Sequence, residues 1–544
     1  MRFLLVVLLS LGLLFRFAHL DRKVYWYDEA FTSLRAAGYT EADVVQHFAA
    51  SEVVSVQELQ QFQQPTSDRG LSATIQSLAV EDTQHPPLYY AIAHVWIHWV
   101  GSSVAAYRLL PALFSLLSLP AVYWLSQELF VKTGAFASAL PGWVAVGLWA
   151  ISPFQVIYAQ ESRQYSLWGT VTLVMTAVFL RALRTQTYLS WLLYAFSVTL
   201  SLYTFLLSGL VVMAHGIYLL LESGFPLLKS RITRRWMAYL IASCTGLMLF
   251  LPWLWLLVTN LSQAQSVTDW TNNQQSWPRL VLTWASIVGR VFYDRGELLI
   301  DRLVQIGVLL LVAYAFYSLW RSTARQVWLM VLVLTLTPIL PLMLADLALG
   351  GLRSTFPRYF IPSLLGIQLA VVYLVSQMIQ ARRGWGNGRL LMAAVCCAGL
   401  VSCLASFSAP TWWQKTLNQE NWAVAQVINS AARPLLISDA ETGDLLALSH
   451  ALKPGVQLLL RPTCYTCSTQ TVDDPGTLLA EVNQLSQGLD SDFFSDMYFF
   501  HPRSSKQWRQ AFKQFLKNNP DLKLASIPVK DQKNNELLWR IVNK

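Results

Sequence analysis

Apolar runs long enough to cross a bilayer alternate with short polar stretches through the first 408 residues, and then they stop. Arg2 to Leu20 opens the series. Further runs follow at about 106–128, 137–158, 165–183, 188–205, 207–222, 236–258, 302–320, 326–347, 359–380 and 389–408. At 1.5 Å of rise per residue, roughly 20 helical residues cover the hydrocarbon core. The pattern predicts a polytopic α-helical membrane protein of about eleven spans, with twelve or thirteen allowed by the marginal runs. The stretch 188–222 has to cross twice, although its length is marginal for two. No small-residue cleavage site precedes Asp21, so Arg2–Leu20 reads as a retained anchor.

The polar stretches have patterns of their own. Residues 21–86 form a first external loop, in which Ala42 to Phe62 and Leu71 to Val80 carry the spacing of amphipathic surface helices. His85 precedes Pro86-Pro87, a pair that can start a helix but not continue one. The helix that follows, to Gly101, holds His94 and His98 and is short for a span, so it is expected to be interfacial or re-entrant. The loop 259–301, rich in Trp, Asn, Gln and Arg, is long enough to form a lid.

The composition changes at about residue 409, where charged residues rise to roughly a fifth. Helices are predicted at Trp422–Ala431 and, amphipathic, at Lys506–Leu516. Strands are predicted at Pro434–Ser438, Val456–Leu460, Leu522–Pro528 and Leu537–Val542. The chain thus divides into a membrane domain, 1–408, and an extramembrane α/β domain, 409–544. The second has no Gly-rich nucleotide loop and no nucleophile constellation. Its expected role is to cover or shape a site.

With 54% hydrophobic and 13% charged residues and a mean hydropathy of +0.40, an ordinary soluble protein is excluded. A net charge of +9 raises the question of nucleic acid. The basic residues, however, sit in small clusters between apolar runs, which is the pattern of positive-inside loops. Arg2, Lys132, Arg181 with Arg184, Lys229 to Arg235, Arg321 with Arg325, and Arg382 to Arg389 are therefore placed in the cytoplasm. The N-terminus is then inside and the tail outside, as expected for a bacterial plasma-membrane protein with a periplasmic domain. Cys244, Cys396, Cys397 and Cys403 lie in apolar runs, where buried thiols are the default. Cys464 and Cys467 form a lone CxxC without the second pair a zinc site needs, so a disulfide or free thiols are expected.

Four polar islands fall on the outer side. One is Tyr25-Trp26-Tyr27-Asp28-Glu29, just past the first run, where aromatics limit the solvation of two carboxylates suited to base or metal-ligand chemistry. Asp28 could equally cap a helix from Glu29 to Ala37. A second is Tyr158 to Tyr165, with Glu161 and Arg163. The loop 259–301 is a third, and Arg353 to Tyr359, with Arg358, is the fourth. Taken singly, Arg353 or Arg358 reads as a snorkelling anchor. Together the islands look like the walls of one external cavity.

An aromatic-Asp-Glu motif after the first span, His85-Pro86-Pro87-Leu88-Tyr89-Tyr90, Ser152-Pro153 and Gln160-Glu161-Ser162-Arg163-Gln164-Tyr165 occur in that order. The series resembles the GT-C superfamily of membrane glycosyltransferases, nearest its protein O-mannosyltransferase-like and lipid A aminoarabinose transferase branches. The resemblance implies a polyprenyl-phosphate-linked sugar donor and an acceptor hydroxyl on a glycan, lipid or protein, meeting outside the bilayer. It makes Asp28 the general base or acceptor-orienting acid, with Glu29 beside it. His85, Arg163 and Arg358 fall to the donor phosphate, and Glu161 and Tyr165 to the acceptor or a metal. Relatives of the aminoarabinose branch carry an acid where this chain has Gln84, which leaves metal dependence and sugar identity open. No cofactor is required, though a divalent cation fits the chemistry.

The chemistry agrees from below. A sugar–phosphate bond breaks to release a phosphate monoester, so cations are needed at the leaving group, and arginine supplies paired donors. A base on the opposite face of the sugar would invert the anomeric centre. Two rival readings are a secondary transporter and an assembly protein whose outer domain binds a partner. The spans hold few ionisable residues and show no internal repeat, which weighs against transport.

Overall fold

A computed structural model describes residues 2–49, 53–223, 234–296, 298–381, 385–412, 415, 417–467, 494, 496–502, 514, 517, 522–531 and 534–543. The expected helix Lys506–Leu516 lies almost wholly outside these residues. So do the basic positions Lys229, Arg231, Arg382 and Arg383.

Every apolar run is helical. Among the described residues, seven helices are long and apolar enough to cross a membrane, and an eighth span results if Leu140–Ala150 and Pro153–Ala159, bent by 60°, count as one. The helices Arg2–Phe17, Tyr188–Thr204 and Ser208–Ser223 have 16, 17 and 16 residues, short of the roughly 20 a straight crossing takes. About eleven apolar helices therefore exist, of which seven or eight reach full spanning length among the described residues. The bend has a local cause. Ser152 precedes Pro153 and is extended, with φ −64° and ψ 120°, as the ring of a following proline demands.

The chain forms two compact units. The first comprises 1–20, 83–89 and 108–409. Its centre is the helix Ile361–Gln380, buried along almost its whole length and packed by Leu140–Ala150, Leu299–Ser322, Arg325–Leu336 and Trp385–Ser408. The second comprises 21–82, 90–107 and 410–544, so the first polar loop belongs with the tail. This grouping leaves no trace in the composition change at 409.

The second unit holds a six-stranded sheet in the order β1-β3-β2-β4-β6-β5. Its strands are β1 (Val54–Ser55), β2 (Pro434–Ser438), β3 (Gln457–Leu460), β4 (Asp496–Phe500), β5 (Leu522–Ser526) and β6 (Leu538–Asn543). β3, β2 and β4 are parallel, with Leu436 paired to Leu458 on one side and Tyr498 on the other. All five residues of β2 are buried, as a parallel strand covered on both faces requires. The edge strand β1 comes from the first loop and pairs antiparallel with β3.

The helix expected over Ala42–Phe62 is therefore interrupted. Glu41–Ala49 and Val56–Gln60 are helical, with β1 between them. The β-branched pair Val53-Val54 favours extended backbone, and the Ser55 hydroxyl then caps the next turn by accepting from the Glu58 amide at 3.2 Å. The surface helix expected at Leu71–Val80 forms, as Leu71–Glu81. Leu88–Val100 is a 13-residue helix, too short to span, with Val95, Trp99 and Val100 exposed. The loop 259–301 is largely helical, at Leu261–Thr268 and Trp277–Gly289, with Leu299–Ser322 beginning at its end. Cys396 and Cys403 are buried free thiols, whereas Cys244 and Cys397 are exposed on their helices, so burial is not general. Cys464 and Cys467 form a disulfide.

Candidate functional site

In the first unit, the turn after the bent helix pair gathers four of the residues singled out in the sequence. Pro153–Ala159 ends at Gln160, and the Arg163 amide donates to the Glu161 carbonyl at 2.6 Å, closing a tight turn before the helix Tyr165–Thr185. Glu161 and Arg163 are buried here and His85 is half-buried. The Arg163 guanidinium donates from Nη2 to His85 Nε2 at 2.9 Å. It also lies 5.9 Å from the centre of the Tyr165 ring.

Rings carry the connection onward. Tyr165 meets Tyr158 at 5.4 Å and Phe205 at 6.0 Å, and Phe205 stacks on Tyr359 at 6.1 Å. The Arg358 guanidinium sits 5.4 Å from the Tyr359 ring and 5.0 Å from that of Phe356. Arg163 and Arg358, far apart in sequence, thus flank one continuous aromatic surface. Glu161, Arg358 and Arg290 all act electrostatically on the Tyr158 hydroxyl. Arg290, at the end of Trp277–Gly289, was missed in the sequence because it is one of several basic residues in a polar loop. A cavity of about 330 Å³ elsewhere in this unit, lined by Gln274, Trp277, Asp346 and Leu349 among others, includes none of the predicted site residues.

Asp28 and Glu29 lie in the second unit, in the helix Tyr27–Ala36. The capping role considered for Asp28 is not the one observed. The helix starts two residues earlier than expected, with Trp26 as N-cap, and it is the Glu29 carboxylate that accepts from the Trp26 amide at 3.3 Å. Glu29 is fully buried, and Asp28 is partly exposed. The surrounding rings are held in place: the Tyr27 hydroxyl donates to Glu441 at 2.6 Å and the Tyr25 hydroxyl to the Glu29 carbonyl at 3.0 Å. A buried lysine, Lys415, places its ammonium 4.3 Å from the Trp26 ring and 4.6 Å from that of Trp412. Nothing in the local sequence of Lys415 marks it out.

Behind this helix stands a buried ionic network. Arg35 donates to Glu81 at 2.7 Å and lies 3.6 Å from Asp82. Glu41 accepts from the Tyr465 and Thr466 amides, at 2.9 and 2.7 Å, within the loop that the Cys464–Cys467 disulfide closes. Burial pushes the Glu41 carboxyl up to about 7, against the pull of those amides. Among the described residues, the one group of three side chains spaced to ligate a metal is Glu81, Cys464 and Cys467, whose sulfurs are joined to each other. Asp28, Glu29 and Glu161 form no such group.

No family model and no curated protein matches the sequence. Solved structures do. ArnT from Cupriavidus metallidurans bound to undecaprenyl phosphate is similar over 98% of this chain and 97% of its own, with a TM-score of 0.53 at 15% identity. Its apo state gives a TM-score of 0.52 at 14% identity over the same shares. The archaeal oligosaccharyltransferase AglB from Archaeoglobus fulgidus, in complex with an inhibitory peptide and a dolichol-phosphate, reaches 0.49 at 11% identity over 91% of this chain and 69% of its own. The likeness to ArnT is one of fold, and the seven described helices long and apolar enough to cross a membrane mark an integral membrane protein.

Proposed function

We propose that this chain is a GT-C glycosyltransferase that moves a sugar from a polyprenyl-phosphate-linked donor to an acceptor hydroxyl outside the membrane. The observation that carries the reading is the Arg163–His85 pair, joined through aromatic rings to Arg358. It is set in a chain that shares, over nearly its full length, the fold of a protein solved with undecaprenyl phosphate bound.

Each residue has a stated task. Arg163 and Arg358 bind the donor phosphate and take up the charge that grows on it. His85 holds the Arg163 fork. Asp28 accepts the proton of the attacking hydroxyl. The acceptor oxygen bonds to the anomeric carbon as the carbon–oxygen bond to phosphate breaks, and the electron pair leaves with polyprenyl phosphate. One displacement inverts the anomeric centre. Glu29, buried against the Trp26 amide, orders the turn that carries Asp28. Glu161 and Tyr165 are assigned to the acceptor side or to a divalent cation. The N-terminus is assigned to the cytoplasm and the 409–544 domain to the periplasm of a bacterial cell, on the alternation of basic clusters.

The test is to incubate purified protein with polyprenyl-phosphate sugars in lipid and to follow released polyprenyl phosphate. Release that needs an acceptor supports the reading. Absence of release across donors and acceptors, from protein that is folded, contradicts it.

A further inference from the structure

Arg16 is an unusual residue for its place. It is fully buried in the first apolar helix, one residue from its end, where a charge is costly unless it is hydrogen-bonded. Its partners are carbonyls at the bend between Leu140–Ala150 and Pro153–Ala159. Nη2 donates to the Trp149 carbonyl at 3.1 Å, and Nη1 donates to the Ala150 carbonyl and, at 2.9 Å, to Gly12.

The need for a donor follows from the sequence. The Trp149 carbonyl accepts from the Ser152 amide at a long 3.4 Å and not from the amide four residues on, which is Pro153 and has no N–H. The bend removes the corresponding partner of Ala150. Arg16 supplies donors to both carbonyls from another helix, as the broken spans of membrane proteins require. Gly12 permits the approach, because a Cβ there would lie 2.5 Å from the Ala150 oxygen. The next carbonyl, Ile151, accepts from the Cys403 thiol at 3.4 Å, and Gly399 gives it room.

The other end of the bent element is tied to the same helix. Gln160 Nε2 donates to the Phe15 carbonyl at 2.7 Å and to that of Ala18 at 3.2 Å, carbonyls left open by the end of the first helix. The first helix therefore grips Pro153–Ala159 before and after its seven residues. Glu161 and Arg163 follow at once.

We infer that Arg16 and Gln160 are positioning residues for the donor phosphate, acting through the turn that delivers Arg163 to His85. This rests on the reading of Arg163 as a phosphate ligand. Neither residue touches the substrate.

The experiment compares binding of undecaprenyl phosphate and of undecaprenol, which lacks the phosphate, to the full-length protein and to Arg16→Met, Arg16→Lys, Gln160→Leu and Arg163→Ala. Unfolding midpoints are measured for each. The parent should prefer the phosphate. Arg16→Met and Gln160→Leu should lose that preference by about tenfold or more, the worth of one charge-assisted hydrogen bond, with undecaprenol binding unchanged. Arg16→Lys should restore the unfolding midpoint but not the preference, since an ammonium cannot span two carbonyls as the fork does. Adding Arg16→Met to Arg163→Ala should cost nothing further, because the two act on one interaction.

A parental preference retained in folded Arg16→Met overturns the inference. If that variant does not fold, retained preference in Gln160→Leu overturns it equally. A parent that does not distinguish the two lipids instead removes the phosphate reading of Arg163, a separate failure.

Discussion

Arg163 Nη2 donates to His85 Nε2 at 2.9 Å. A guanidinium has no acceptor, so the imidazole nitrogen facing it carries a lone pair, and the ring proton is on Nδ1. In this contact His85 accepts and holds one edge of the Arg163 guanidinium. The Tyr165 ring lies beside the guanidinium, 5.9 Å away.

This fixes what substitution at Arg163 should do. Arg163→Lys keeps the charge and loses the planar fork, so undecaprenyl phosphate should bind more weakly. Arg163→Ala should bind it more weakly still, by on the order of tenfold to a hundredfold for a charge-assisted pair. Titration of the purified variants against the parent is the check. Equal affinity of Arg163→Ala and parent would show the assignment to be wrong.

Much of this cluster was legible beforehand because it is local. Glu161, Arg163 and Tyr165 lie within five residues, and a polar island between two apolar runs is visible in any hydropathy trace. The path from Tyr165 through Phe205 to Tyr359 was not legible, since ring contacts between distant helices leave no local signature. Lys415 and the Arg35–Glu81 pair were hidden for the same reason. The misplacement of the helix start at Asp28 is different. Asp is a preferred N-cap and Trp is not, but the Glu29 carboxylate reaches back to the Trp26 amide and moves the start upstream.

The Cys464–Cys467 disulfide should appear as a mass two hydrogens below the dithiol in non-reduced protein. Its loop presents the Tyr465 and Thr466 amides to Glu41. Replacing both cysteines by serine should lower the unfolding midpoint. Transfer at permissive temperature should continue, because neither sulfur has a part in the proposed chemistry. Free thiols at both positions, or complete loss of transfer in a folded Ser variant, would contradict this account.

Glu41 makes stability depend on pH. Its carboxyl is raised from an ordinary 4.5 to about 7 in the folded chain, chiefly by burial. The sign follows from linkage: the stability it contributes is fully present below about 4.5 and is lost as pH rises through about 7. The loss has an upper size of about 3 kcal/mol. The unfolding midpoint should therefore fall between pH 5 and pH 8, and Glu41→Gln should flatten the slope. Glu81, Asp82 and Arg35 share the network, so a slope that survives Glu41→Gln would move the titration to one of the other carboxyls.

The apolar helices were readable from length alone, because the bilayer dictates it. The sheet was readable in part. β2, β3, β5 and β6 follow runs of β-branched and apolar residues between turn signals. β4, Asp-Met-Tyr-Phe-Phe, lacks the alternation that marks a half-buried strand, and Thr442–Ser449 buries all eight of its residues and so shows no amphipathic period. β1 has two residues and exists only through its pairing with β3.

The outward placement of the 409–544 domain is tested by an alkaline phosphatase fused after Lys544. The basic clusters predict activity in the external compartment. Activity only in the cytoplasm would put the tail on the wrong side for the proposed reaction.

In the proposed reaction, Asp28 is the residue on which the transfer step turns. It sits in the first turn of Tyr27–Ala36 and is partly exposed, while its neighbour Glu29 is buried and engaged with Trp26. The contact to the Trp26 amide at the start of the helix is made by Glu29, and asparagine keeps the size of the Asp28 side chain. Asp28→Asn should therefore fold with a near-parental unfolding midpoint and bind undecaprenyl phosphate as the parent does. Losing the base should still slow transfer by on the order of a hundredfold or more. Glu29→Gln should behave in the opposite way. It weakens the helix start, lowering stability by up to the cost of a cap, about 1 kcal/mol, and the midpoint with it, with a milder effect on rate. The measurement is initial rate at saturating donor, alongside thermal unfolding, for the parent and both variants. A rate for Asp28→Asn close to that of the parent would take Asp28 out of the chemistry and leave the acceptor without its assigned base.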